Sequence, residues 1–129
     1  MIPRMADQPN AVGWFEIPVN DMKRAKAFYE HVFGIPLHLM EMGPATMAMF
    51  PAEPASPGAG GALIKTDGYT PSYAGTVVYF SVPDIEATLG KAQGRGGKTV
   101  VPKMSIGEFG FIAHFEDTEG NRVALHSMQ

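Results

Sequence analysis

Glu16 and His126 are the two side chains of this sequence whose types best suit proton transfer. A carboxylate can act as a general base, and an imidazole gives or takes a proton near neutral pH. Tyr79 stands 63 positions after Glu16 (79−16). Trp14 and Tyr79 would supply apolar walls for a bound molecule, and Arg122 would supply a cation. Four uses stay open for this set. It could recognise a polar group on a small molecule, or perform acid–base catalysis. Glu16 and His126 could hold a divalent metal, although a firm site usually takes three or more protein ligands. They could also simply satisfy each other, or Arg122, in a half-buried cleft. Ligand recognition is the reading carried forward.

Other chemistry is poorly supplied. The chain has no cysteine, which excludes disulfides, thiol nucleophiles and zinc–thiolate sites. His31 falls on the outer side of a predicted helix, and His38 and His114 fall on predicted strands without an obvious partner. Gly94, Gly96 and Gly97 do not lead from a strand into a helix, so they are no nucleotide loop. Phe109, Phe111 and Phe115 read as strand packing rather than as a stacking platform. Nine methionines, several of them between Met40 and Met49, read first as fillers of irregular apolar space and second as an adaptable cavity wall.

The totals set the frame. A length of 129 residues suits one domain with a real core. A formal charge of −3 offers no basic footprint for nucleic acid. No apolar run approaches the roughly 20 residues that cross a bilayer. Residues Met1 to Asn10 are polar and proline-containing, unlike a signal peptide, so a cytoplasmic location is the default expectation.

The elements that must position these residues follow from periodicity. Val12 to Val19 reads as a strand with Phe15, Ile17 and Val19 on one face and Trp14 and Glu16 on the other. Asn20-Asp21 caps a helix starting at Met22, whose apolar stripe is Met22, Ala25, Phe28, Tyr29, Val32 and Phe33. Gly34 and Pro36 stop it. Strands are predicted at about Leu37 to Glu41, Thr46 to Phe50 and Gly61 to Lys65, with a Pro/Ala/Gly loop over 51–60. A second loop, Asp67 to Gly75, marks the boundary between halves. The plan then restarts: a strand at Thr76 to Val82, a helix from Ile85 to about Arg95, and strands at about Lys98 to Lys103, Phe109 to Glu116 and Arg122 to Ser127.

One offset relates the halves. Val19 matches Val82, Asp21 matches Asp84, Met22 matches Ile85 and Gly34 matches Gly97, each 63 positions apart. Every match lies at the same structural punctuation, which is the signature of an internal repeat.

The segments FEIPVNDMKRAKAFYEHVFG, VYFSVPDIEATLGKAQGRGGKTVVP and EDTEGNRVALHS resemble the vicinal-oxygen-chelate superfamily, and in particular its small bacterial glyoxalase-like members. The resemblance extends from Val12 to Ser127. It implies an α+β fold in which two βαβββ modules, about residues 12–66 and 76–127 of one domain spanning 1–129, form a curled mixed sheet, a cup with helices outside. It also implies that Trp14, Glu16, Val77, Tyr79, Ala124 and His126 face the cup. The metal-ligand positions of such proteins fall here on Trp14, Val77 and Ala124, and Gly61 to Lys65 holds no His, Glu or Gln. None of these side chains can bind a divalent cation. Glu16, Tyr79 and His126 lie two residues beyond those positions and keep the inward direction.

The expectation is thus a glyoxalase-like protein binding a small organic molecule, with Trp14, Tyr79 and Arg122 as contacts. It would act as a lyase or isomerase through Glu16 and His126 if it is catalytic, with no cofactor expected. Two alternatives remain: a metal-dependent lyase or dioxygenase with relocated ligands, and a drug-sequestering protein of the bleomycin-binding kind. A homodimer is what the resemblance implies; neither nucleic acid nor membrane is expected as a partner.

Overall fold

A computed structural model describes residues 10–53 and 55–129. The polar opening segment and Pro54 of the 51–60 loop lie outside the described residues. The elements are β1 (Trp14–Pro18), α1 (Met22–Phe33), β2 (His38–Met42), β3 (Ala45–Met49), β4 (Gly60–Lys65), β5 (Tyr79–Ser81), α2 (Ile85–Gly94), β6 (Lys98–Ser105), β7 (Phe111–Glu116) and β8 (Arg122–Ser127). They form two four-stranded mixed sheets, β1-β4-β3-β2 and β5-β8-β7-β6, each with one parallel pair. The result is the α+β, two-module curled arrangement expected from the sequence, without a closed barrel.

Both helices begin the same way. The Asp21 side chain accepts from the Arg24 backbone N–H, and that of Asp84 accepts from the Ala87 N–H, each at 3.0 Å. These are N-caps that satisfy donors a helix start leaves open. Gly34 ends α1 in the left-handed region at φ 65°, where a residue without Cβ is preferred. Beyond that stop, the Glu30 carboxylate accepts from the Leu37 N–H and from Lys26 Nζ. Those two bonds hold its pKa below the ordinary value and fix the turn into β2.

Pairing register and alternation divide each sheet into two faces. On the first sheet, Phe15, Ile17, Leu63 and Ala48 turn toward α1. On the second, Phe80, Leu125, Ala113, Val123 and Phe115 turn toward the helices. Both sets join one core with Ala25, Phe28, Tyr29, Val32, Ile85, Leu89 and Ala92. Phe15 and Phe80, from different modules, meet edge to face at 5.5 Å, a favoured aromatic geometry. The opposite faces carry the candidate site.

Some boundaries differ from the sequence reading. The strand expected over Thr76 to Val82 narrows to Tyr79–Ser81, although Val78 still accepts from Ala124 and Val82 still donates to His126. β7 begins at Phe111 rather than Phe109, because Gly107 (φ 75°) and Gly110 (φ 100°) bracket a short 3₁₀ turn there.

The Asp117–Asn121 turn joins the modules. Glu119 is buried, and its Oε1 accepts from the backbone N–H groups of Asn20 and Asp21, both at 2.8 Å. Arg24 adds Nε to Oε2 at 2.7 Å and Nη2 to Oε1 at 3.1 Å. The first turn of α1 has no acidic residue but contains Lys23 and Arg24, the wrong sign for a helix N-terminus. Glu119 adds a second negative charge, beside the Asp21 cap, from the other module. Nearby, Asp117 Oδ2 accepts from the buried Tyr29 hydroxyl at 2.6 Å, and Asn121 donates to the Pro18 carbonyl at 2.8 Å.

Candidate functional site

β1 places Trp14 and Glu16 on the side of the first sheet away from the helices, beside Gly60, Ala62 and Ile64 of β4. Met47 and Met49 of β3 follow, then Met40 and His38 of β2. Met47 is buried there in a small second cluster with Ala45, Ala62 and Ile64, while Met40 is exposed. The methionine-rich stretch therefore divides its side chains between packing and an open surface. The Trp14 indole passes close over Gly60, its Cζ3 3.3 Å from where a Cβ would stand. Glu16 accepts a long 3.3 Å hydrogen bond from Trp14 Nε1.

On the second sheet the equivalent face carries Tyr79, Ala124 and His114 in one cross-strand row, with Ser81, His126 and Ile112 in the next. Arg122 stands opposite Glu116, which stands opposite Lys98. Three of these side chains form a chain of hydrogen bonds. Arg122 Nε donates to His114 Nδ1 at 2.8 Å, and His114 Nε2 meets the Tyr79 hydroxyl at 3.0 Å. The Tyr79 and His114 rings are edge to face at 5.4 Å, and the Arg122 guanidinium lies over the Tyr73 ring at 5.5 Å. Burial, then the nearby Arg122 cation, pushes the His114 pKa below its ordinary value.

His114 had no partner visible in the sequence; the structure gives it two and leaves it 9% exposed. The signal was available. The turn after Glu116 returns the chain so that Glu116 pairs with Arg122, and stepping back two residues sets His114 beside Ala124, on the face already assigned to Ala124 and His126.

The remaining predicted residues are placed as follows. Glu16 and Arg122, from different modules, line one cavity of about 60 Å³ with Thr76, Val78 and Asn121. His126 lies on the same face as Tyr79 and His114, but its Nε2 is 2.6 Å from the Phe109 carbonyl. No hydrogen bond joins Glu16 to His126 or to Arg122 among the described residues. His31 is exposed, as a helix-surface residue. Phe115 is fully buried and Phe111 packs on the core, whereas Phe109 is exposed.

A metal centre finds little support in these side chains. Among the described residues, no three His, Asp or Glu groups gather as ligands. Trp14 and Ala124, at two of the positions where metal-using relatives would carry ligands, offer no suitable donor. The residues present do not fit a three- or four-ligand divalent site, and no chemistry is derived through one.

Residues 11–125 match the Glyoxalase/Bleomycin resistance protein/Dioxygenase superfamily. The chain belongs to that superfamily. A glyoxylase-like domain-containing protein from Didymella fabae is 31% identical over 128 residues, covering 88% of this chain and 91% of that protein. Among solved structures, TnmS3, an antibiotic-binding protein from Streptomyces sp. CB03234, superposes with a TM-score of 0.64 at 23% identity, covering 90% of this chain and 93% of that one. Glyoxalase I from Zea mays gives a TM-score of 0.63 at 20% identity, covering 89% of this chain. This glyoxalase-superfamily chain spans only 45% of the maize chain's length. At such identities the structural likenesses carry the fold and not the activity.

Proposed function

We propose that this glyoxalase-superfamily protein binds a small organic molecule on the concave side of its sheets. The supporting observation is that Glu16 of one module and Arg122 of the other line one cavity of about 60 Å³, room for a polar group of a ligand rather than the whole of it, with the Arg122–His114–Tyr79 chain running from it. Exposed Trp14, Met40 and Tyr79 add apolar surface on the same sides of the sheets. A concave surface with apolar walls and a few fixed polar groups is the usual form of a ligand site.

In the catalytic form of this reading, a lyase or isomerase, Glu16 is the base. His126 donates from Nε2 to the Phe109 carbonyl, which leaves Nδ1 as the ring nitrogen for proton exchange with a ligand. The non-catalytic form is sequestration; TnmS3, which shares the fold, is an antibiotic-binding protein. A homodimer that covers Met42 completes the proposal, because this exposed apolar side chain suits an interface.

The deciding experiment is a small-molecule screen by thermal shift on the full chain, repeated with Arg122→Ala and Glu16→Ala. A specific ligand raises the melting temperature by mass action, and both variants should weaken that rise. Turnover of the bound ligand by the unmodified protein, lost in Glu16→Ala, selects the enzyme. Binding without turnover selects sequestration. A ligand whose effect ignores both substitutions would overturn the assignment of the site.

A further inference from the structure

An arginine guanidinium carries only N–H donors. The 2.8 Å contact from Arg122 Nε therefore makes His114 Nδ1 an acceptor. The imidazole is neutral, since a second proton would set one N–H against another, and burial beside Arg122 already disfavours the charged form. Its one proton then sits on Nε2, and Nε2–H donates to the Tyr79 oxygen at 3.0 Å. The Tyr79 oxygen is occupied as an acceptor, so its own hydroxyl proton turns away from His114. Tyr79 is 48% exposed, and the only described hydrogen bond of its side chain is this one.

We propose that the Tyr79 hydroxyl is a preset hydrogen-bond donor, held by the chain Arg122 to His114 to Tyr79, which selects ligands bearing an acceptor oxygen on an apolar body. The inference rests on the reading that the cup binds small molecules. Tyr79 is the contact residue, and His114 and Arg122 are positioning residues. Arg122 and Glu16 line one cavity, and Arg122 stands opposite Glu116 in the strand pair, with Lys98 opposite Glu116. A neutral carbonyl oxygen and a carboxylate oxygen share the chemistry that this donor recognises. A ligand offering only a donor must share the Tyr79 oxygen with His114 Nε2–H.

Three naphthalenes of matched shape test this by fluorescence titration: 2-acetylnaphthalene, 2-naphthoate and 2-ethylnaphthalene. The unmodified protein should bind at least one oxygenated probe up to about tenfold more tightly than the ethyl compound, the worth of one net hydrogen bond. Tyr79→Phe should abolish that preference, read as the ratio of the oxygenated probe's affinity to the ethyl compound's on the same variant. Preference for the acetyl compound assigns neutral carbonyls, and preference for naphthoate alone assigns carboxylates. Histidine-selective ¹⁵N NMR should show His114 in the Nε2–H form, and Arg122→Met should release it to a mixture of tautomers. Equal binding of all three probes, a preference that survives Tyr79→Phe, or an Nδ1–H tautomer overturns the inference while the cup reading stands. Failure of every probe to bind the unmodified protein overturns both.

Discussion

The ring of Phe15 occupies the space that a β-carbon on Gly61 would need. The two residues are partners in the parallel β1–β4 pair, and the ring lies flat on the glycine on the helix side of the sheet. One step earlier, Trp14 packs closely, but without overlap, over Gly60 on the other side. Gly60-Gly61 is thus a pair of seats for two aromatic rings on opposite faces of one strand.

Gly61→Ala should therefore destabilise the fold by about 2 kcal/mol, in the range of overpacked cores, because Phe15 must shift out of its packing against Phe50 and Phe80. Gly60→Ala should cost clearly less, since Trp14 is exposed and can swing outward. Urea denaturation of both variants checks the order. Equal costs would contradict it.

Glu119→Gln should lower stability by about 2 kcal/mol, as hydrogen bonds to a charged group do. Burial raises the Glu119 pKa, but the bonds from Arg24, Asp21, Asn20 and Thr118 outweigh it and hold the carboxyl below its ordinary 4.5. A depressed folded-state pKa contributes stability that is present above pH 4.5 and lost as the pH falls through the folded value. Denaturation midpoints measured between pH 3 and 7 should fall less steeply in Glu119→Gln than in the unmodified protein.

Tyr29 titrates in the other direction. Burial, then the Asp117 charge and hydrogen bond, raises its pKa well above the ordinary 10.0. The folded chain keeps that proton longer than the unfolded chain does, so the stability it contributes is present below pH 10.0 and is lost progressively above it. Tyr29→Phe should be less stable at pH 7, through the lost bond to Asp117. It should also lack the Tyr29 share of alkaline destabilisation, seen as a flatter melting temperature above pH 10.

His114 should titrate below its ordinary 6.5, followed by NMR of its ring signals. Burial is the first cause and Arg122 the second, so Arg122→Met should move the midpoint upward without restoring it fully. The folded state resists this proton, so the group's contribution is intact above 6.5 and declines as the pH falls below it. A midpoint at or above 6.5 would contradict the neutral Nε2–H form.

Much of this fold is visible in the sequence because its punctuation is local. Asp21 and Asp84 cap their helices through bonds to residues three positions on, and Gly34 stops α1 by its own backbone conformation. The two faces of β1 follow from strict alternation. The site was less legible because its contacts cross strands. Glu16 was marked by type and direction, but its neighbour Arg122 comes from the other module. His114 was undervalued because neither partner, Tyr79 at 35 positions or Arg122 at 8, is close enough to form a local motif. Glu119 looked like part of a turn, and nothing nearby in sequence announces that it serves a helix 95 positions away.

The Glu119 contact also bears on the order in which the chain is made. A ribosome delivers Asn20, Asp21 and Arg24 nearly a hundred residues before the carboxylate that receives them. Until then the start of α1 holds two cationic residues with only the Asp21 cap as counter-charge, and Tyr29 lacks Asp117. The halves look like two copies of one unit, yet the earlier copy is finished only by the later one. Duplication here has ended in dependence rather than redundancy.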